Sequence, residues 1–312
     1  MLNLRALVYE HFTGGGLAGQ PLPDELVQAG RAMAVALRDD LAAAGVELCT
    51  LVDARLLPLT GPGQVIPVAD AEQWQHCWQQ ALDWADAVWP IAPETDGILE
   101  NLSRDIVAAG CALLGSAPEA IALTASKLAT GHHLQQAGIA IAIGQSADCQ
   151  PDWPLPWLVK PDDGAGCEQN WLIRTVADWQ HWQASVDPEH FIVQPYLSGD
   201  PGSVIVLYLP GVSELIAVQR QRIVIDGDRL QFDGIEPVEG SDPELSALVG
   251  AVGQAIPGLW GYVGIDFIRT ATGPVVIEIN PRLTESYIGL HQRSGRNPVL
   301  PILENCRVAV DV

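Results

Sequence analysis

Basic residues are scarce. The 312-residue chain carries 16 lysines and arginines against 38 aspartates and glutamates, a formal charge of −22. Such a field repels phosphate backbones and anionic lipid, which argues against nucleic acid and membranes as partners. A small anionic nucleotide stays admissible, because a few local lysines and a divalent cation dominate at close range. Long apolar runs are also lacking, and "MLNLRALVYEHF" has no basic segment leading into one, so a soluble cytoplasmic protein is expected. Cys49, Cys77, Cys111, Cys149, Cys167 and Cys306 contain no CxxC pair. Neither a zinc site nor a disulfide framework is indicated, and most of them read as small buried hydrophobes. No internal repeat or low-complexity segment occurs.

What is present suits a large core. Hydrophobic residues make up 48% of the chain and charged residues 17%. At about 100 to 200 residues per domain, two or three lobes are expected. Two tryptophan pairs, Trp74 with Trp78 and Trp179 with Trp182, fall at helical spacing and read as packing.

The first ~115 residues alternate strand-like and helix-like segments: "LRALVYEHF", a helix from about Pro23 to Ala44, "VELCTLVDARL", a helix near Ala71 to Ala85, "AVWPIAP", a helix near Gly97 to Ala109, and "ALLGS". This alternation predicts an open parallel α/β sheet, Rossmann-like in shape. Gly14, Gly16 and Gly19 can be threaded as GxGxxG. Pro21 and Pro23 follow at once, however, so the helix starts late, with Asp24 as its expected cap. The cluster Gly14, Gly15, Gly16 therefore reads as a flexible substrate-facing loop or a simple turn. From Ser116 the texture changes to short helices carrying Lys127, strands "WLVKP" and "FIVQPYL" around a helix at about Val176 to Ala184, long strands, a helix near Pro243 to Ala255, and late strands "YVGIDFIRT" and "PVVIEIN".

One of those late strands poses a chemical question. "VVIEINPRLTESY" places Glu278, Asn280 and Arg282 at every second position of an apolar strand, so they share a face. A buried unpaired carboxylate is too costly to be incidental; either a cation lies before that face or the strand is at a wet edge. "VGIDFI" contributes Asp266, and a hairpin across "TATG" would bring it to Glu278 and Asn280. Two carboxylates and a carboxamide suit one or two Mg²⁺ ions bridging nucleotide phosphates. The alternative is that the acids merely pair with Arg282, Arg269 or another base. In "WLVKPDDGAG", Lys160 precedes a glycine loop of the kind that lets backbone N–H groups approach phosphates. Lys127 is a second candidate phosphate ligand. In "FIVQPYL", Gln194, Tyr196 and Leu197 suit an adenine hinge, with Asp200 in reach of a ribose; an ordinary strand-to-turn junction is the alternative.

Taken in this order, these elements resemble the ATP-grasp superfamily across about residues 116 to 290. The resemblance implies an N-terminal pre-ATP-grasp domain over 1–115, a small lid subdomain over 116–195 and a C-terminal catalytic subdomain over 196–312. It implies ATP and one or two Mg²⁺ ions as cofactors, with Lys127 and Lys160 on the nucleotide and Gly164, Ala165 and Gly166 as the phosphate-covering loop. Gln194, Tyr196 and Leu197 take the hinge position. Asp266, Glu278 and Asn280 correspond to the metal ligands, and Arg282 to the arginine that steadies an acyl phosphate. The implied activity joins a small carboxylate to an amine. "VYEHFTGGG", "VKPDDGAG" and "NPRLTESYIGL" further resemble the tyramine-glutamate ligase group of methanofuran and methylofuran synthesis, with Gly14, Gly15 and Gly16 on the substrate side beside Arg282, Thr284, Glu285 and Ser286. Glu285 replaces the second threonine of that group's usual motif; it adds negative charge near a substrate carboxylate or faces an amine. Other amino-acid ligases and a non-catalytic nucleotide-binding regulator are the competing expectations, and a homo-oligomer is compatible with the sequence.

Overall fold

A computed structural model of the chain describes residues 4–163 and 169–310. The N-terminal part runs β1 (Arg5–Glu10), α1 (Asp24–Ala43), β2 (Glu47–Asp53), β3 (Gln64–Val68), α2 (Ala71–Trp84), β4 (Ala87–Ile91), α3 (Ile98–Ala108) and β5 (Ala112–Leu113). Its strands form a parallel sheet ordered β3-β2-β1-β4-β5. Both faces are covered, as parallel strands joined by helical crossovers require. Met33, Leu37 and Leu41 of α1 pack on one side, and Trp78, Leu82, Leu99 and Ile106 of α2 and α3 on the other. The open parallel α/β fold read from the sequence is therefore present.

One local reading changes and a second is resolved. Pro23 stands at the cap position of α1 and makes no side-chain capping bond. Asp24 is the first helical residue, where its charge still meets the helix N-terminus. The glycine cluster after β1 takes the second of its two expected forms, a turn closed by backbone hydrogen bonds. Gly14 N donates to Glu10 O at 2.7 Å and Gly16 N to His11 O at 3.0 Å; Gly14 and Gly15 are buried and Gly16 is half-buried. A Cβ on Gly16 would lie 2.2 Å from His11 Nδ1, so only glycine allows this close approach.

The second part comprises α4 (Pro118–Ala125), α5 (Lys127–Gln136), β6 (Gln145–Ser146), β7 (Trp157–Pro161), β8 (Trp171–Ile173), α6 (Val176–Ser185), β9 (Phe191–Pro195), β10 (Asp200–Leu209), β11 (Val212–Asp226), β12 (Arg229–Val238), α7 (Pro243–Ala255), β13 (Gly261–Thr270), β14 (Gly273–Asn280), α8 (Leu290–Ser294) and α9 (Leu300–Val310). Its antiparallel sheet is ordered β14-β13-β10-β11-β12-β8-β7-β9-β6. The β12 and β8 halves of this sheet meet at the single pair Arg229 and Trp171. Trp157, Trp171, Trp179 and Trp182 form the core of the β6 to β9 region, with Trp179 and Trp182 stacked at 5.4 Å, so the tryptophan spacing did signal packing. Trp74 likewise stacks on Trp78 at 5.8 Å. Cys49, Cys77, Cys111 and Cys306 are buried and Cys149 is exposed.

The two parts share a core. Leu283, Tyr287, Leu290 and Ile302 pack into the same cluster as Val8, Leu37 and Trp89. Tyr287 Oη donates to Asp40 Oδ2 of α1 at 2.7 Å. Apolar burial and this hydrogen bond hold the segment after Arg282 against the parallel sheet. Among the described residues no helix is long and apolar enough to cross a membrane.

Candidate active site

The hairpin β13–β14 forms across residues 271 and 272, and its register sets Asp266 opposite Glu278 and Gly264 opposite Asn280. Val263, Ile265, Phe267, Val276 and Ile279 fill the core against α7; alternation turns Asp266 away from that core on β13, and on β14 a bulge that leaves Ile277 unpaired between Val276 and Glu278 turns Glu278 to the same side. The same row continues across the sheet. Ser203 of β10 pairs with Asp266, and Gln219 of β11 pairs with Ser203. Gln219, Ser203, Asp266 and Glu278 thus form one polar line over four strands.

The two carboxylates cannot both ionise comfortably at this separation. Burial first, then the charge of Glu278 and a hydrogen bond to it, push the Asp266 carboxyl well above the usual range. Gln221 Nε2 donates to Asp266 Oδ1 at 3.1 Å and pulls the other way. Burial also opposes ionisation of Glu278, but the charges of Lys127 and Lys160 outweigh it and hold Glu278 below the usual range. Lys127 Nζ lies 3.5 Å from Glu278 Oε2 and donates to Asp162 O at 3.2 Å. Lys127 and Lys160 are only 8% and 3% exposed, an unusual depth for lysines, which are rarely buried without partners.

Local sequence explains the placement of Lys127. Ser126 caps α5 by accepting from Ala129 N at 3.0 Å. The Ser126 hydroxyl donates to Asp162 Oδ2 at 2.7 Å, and Leu128 N donates to Asp162 Oδ1 at 2.8 Å. The end of β7, which carries Lys160, is thereby pinned to the first turn of α5.

Arg282 lies beyond Asn280 and meets the N-terminal part. Its Nε donates to both oxygens of Glu94, at 3.0 and 3.1 Å. Burial disfavours the guanidinium charge, yet Glu94, by charge and by hydrogen bond, raises the Arg282 pKa above its ordinary value. Glu10, at the end of β1, is also buried; burial raises its pKa against hydrogen bonds from Thr13 and Phe12 and the charge of Arg282. Glu10 ends β1 and Glu94 follows β4, on either side of the point where the strand order reverses, the place where open α/β sheets leave a crevice. A cavity lined by Glu94, Thr124, Lys127, Glu278 and Asn280 opens there.

The remaining expected residues are placed less uniformly. The Gln194 side chain is 2% exposed and its Nε2 donates to Ala142 O at 2.6 Å. Tyr196 N donates to Pro156 O at 3.0 Å. The donor side of the Gln194 carboxamide and the Tyr196 amide are therefore engaged within the protein, which narrows the expected hinge. Tyr196 and Leu197 are half-buried and Asp200 is exposed, with Asp200 paired to Arg269 across β10 and β13. Thr284 is half-buried beside Gly264 and Glu285 is exposed. Ser286 Oγ donates to Gln219 Oε1 at 2.5 Å. Gly14 and Gly15 are buried and Gly16 is half-buried. Gly164, Ala165 and Gly166 lie outside the described residues.

Among the described residues no group of three or more histidine, cysteine, aspartate or glutamate side chains converges on a metal position. The Asp266, Glu278 and Asn280 set is smaller and all oxygen. It fits a hard cation that completes its shell with phosphate and water, and a cation there would relieve the mutual repulsion of the carboxylates.

Glu10, Glu94, Ser203, Gln219 and Gln221 were not signalled by the motifs. "VQRQRIV" does contain the sign: glutamines two apart on an apolar strand, the alternation that exposed Glu278. Glu94 had no local sign beyond following a strand.

Residues 46–121 match the pre ATP-grasp 3 domain family and residues 124–286 the ATP-grasp domain family. The tyramine–L-glutamate ligase of Methanocaldococcus jannaschii is 29% identical over 204 residues, which are 64% of this chain and 56% of that enzyme. The match thus spans little more than half of that relative. A crystal structure of a putative ATP-grasp superfamily protein from Archaeoglobus fulgidus superposes with a TM-score of 0.75 at 22% identity, covering 97% of this chain and 89% of that one. The biotin carboxylase domain of Hydrogenobacter thermophilus 2-oxoglutarate carboxylase, solved with MgADP, ADP and bicarbonate, gives 0.70 at 16% identity, covering 98% and 70%. At these identities the two structures show a shared fold.

Proposed function

The chain belongs to the ATP-grasp family, and from that premise we propose that it is an ATP- and Mg²⁺-dependent ligase that joins a small carboxylate to an amine through an acyl phosphate. The single observation that supports this most is the carboxylate pair Asp266 and Glu278, set opposite each other and flanked by the buried Lys127 and Lys160. Asp266, Glu278 and Asn280 would hold Mg²⁺, which supplies charge neutralisation at the transferring phosphoryl group. Lys127 and Lys160 bind phosphate oxygens, and Tyr196 and Leu197 line the base. Arg282, steadied by Glu94, faces the negative charge that builds on the substrate carboxyl.

In the first step a carboxylate oxygen bonds to the γ-phosphorus and the bond to ADP breaks. In the second, the amine nitrogen bonds to the acyl carbon, phosphate leaves with the bridging oxygen, and the nitrogen loses a proton. The narrower reading is L-glutamate joined to tyramine or a similar arylamine in C1-carrier cofactor synthesis, supported by the Methanocaldococcus relative. Exposed Glu285, three residues after Arg282, offers a negative charge to a protonated amine. The same proposal divides the chain at 1–115, 116–195 and 196–312 and places it in the cytoplasm.

The test is incubation with ATP, Mg²⁺, L-glutamate and tyramine, followed by phosphate release and mass spectrometry. γ-Glutamyltyramine formed only when ATP is present upholds the narrow reading. Turnover of other pairs but not this one removes it and keeps the ligase. No release with any carboxylate and amine overturns both.

A further inference from the structure

The β11 side of the polar row has a defined chemical polarity. Gln219 Oε1 accepts from Ser203 Oγ at 3.2 Å and from Ser286 Oγ at 2.5 Å. A carbonyl oxygen has two lone pairs, so both are taken, and the carboxamide is fixed with its NH₂ as the free end. Among the described residues Nε2 makes no hydrogen bond. Gln219 as a residue is 5% exposed, yet Nε2 is not one of the enclosed atoms without a partner; it opens onto accessible space, where a ligand oxygen can take the place of water. Because the free end only donates, it suits an oxygen anion and offers nothing to an ammonium group.

Position adds a second constraint. Gln219 stands two strand spacings from Asp266 on the same face, roughly 10 Å between backbones, with the side chains reaching inward over part of that span. A compound activated at the Asp266 and Glu278 end would present to Gln219 a group a few bonds from its reacting carboxyl.

We propose that Gln219, oriented by Ser203 and Ser286, is the specificity-determining residue for the acyl donor, receiving a second carboxylate that is not the one activated. The inference rests on the ligase reading and deepens it: the donor class is a dicarboxylate such as an acidic α-amino acid.

The decisive variant is Gln219→Glu, which keeps an oxygen for both serines and replaces the donors with negative charge. Calorimetric titration of L-glutamate into the protein with ADP and Mg²⁺ present reads the contact without turnover. The expected result is a loss of L-glutamate affinity of roughly 10- to 100-fold, with ADP binding unchanged. 4-Aminobutyrate, which lacks the α-carboxylate, should bind wild type and variant alike. Ser286→Ala keeps the carboxamide but releases one orienting bond. It should raise KM for L-glutamate in the same direction by a smaller factor, with kcat changed less than KM. Equal L-glutamate affinity in wild type and Gln219→Glu overturns the assignment, as does a wild type that fails to bind L-glutamate. If other carboxylate and amine pairs turn over in that last case, the ligase reading stands. If L-glutamate binds through Gln219 but no pair turns over, the ligase reading falls and the acyl-donor role of Gln219 falls with it, leaving only a carboxylate contact.

Discussion

Glu94 grips the Nε edge of Arg282 with both carboxylate oxygens, at 3.0 and 3.1 Å, across 188 residues of sequence. The contact joins the end of the parallel sheet to the motif after β14, and it fixes one edge of the guanidinium. Removing the carboxylate leaves a largely buried cation without its partner. Glu94→Ala should destabilise the protein by roughly 3 kcal/mol, the low end for a broken buried pair because Arg282 keeps some exposure. It should also lower kcat more than it raises KM for ATP. Urea denaturation and steady-state kinetics check both; an unaltered midpoint would mean the pair carries no structural weight.

Glu278→Gln preserves shape and removes charge. A neutral amide is a poor Mg²⁺ ligand, so turnover should fall at least about 100-fold, since even outer-shell changes at metal sites cost 10- to 100-fold. The circular dichroism spectrum should match wild type. Activity retained at ordinary Mg²⁺ would take Glu278 out of the site.

Proton linkage offers an independent view of Asp266. Its carboxyl is raised well above the ordinary value by burial and by Glu278, so without metal it holds a proton at pH values where an unfolded aspartate, at about 3.9, has lost it. The folded state then binds more protons than the unfolded one, and this group's contribution to stability declines as pH rises from that value through the folded pKa. Glu278, held low, acts oppositely at lower pH. Cation binding must expel the Asp266 proton. Calorimetry of Mg²⁺ with ADP in buffers of different ionisation enthalpy should show proton release, absent in Asp266→Asn.

His11 is buried against Gly16, its Nδ1 has no hydrogen-bond partner, and burial lowers its pKa to about 4. An unfolded histidine binds a proton near 6.5. The unfolded state therefore takes up more protons in between, and stability falls as pH drops from about 6.5 toward 4. His11→Leu should flatten that part of the stability curve, measured by thermal melts at stepped pH. An identical slope in both proteins would locate the acid sensitivity elsewhere.

The sequence exposed features that depend on strand alternation. Glu278 and Asn280 stood out because charged groups break an apolar run, and their hairpin partner Asp266 lay within one short turn. The tryptophan pairs were legible for the same reason, a period that matches a helix face. Features that depend on distant chain were hidden. The partner of Gln194 is a carbonyl 52 residues away, and Glu94 meets Arg282 only once both lobes are packed. β12 carries no clear strand pattern, because "RLQFDGIEPV" mixes apolar residues with glycine, proline and charges, and much of it is exposed. Composition left the segment Gly14 to Gly16 open between a flexible loop and a simple turn, because the close contacts of its glycines with Tyr9 and His11 appear only in the folded chain.

The acyl phosphate is the central claim, and isotope transfer tests it directly. With L-glutamate labelled by ¹⁸O in its γ-carboxylate, plus tyramine, ATP and Mg²⁺, each released phosphate should carry one ¹⁸O atom by mass spectrometry. Product formed with unlabelled phosphate, or no ATP-dependent product from any carboxylate and amine pair, would contradict it.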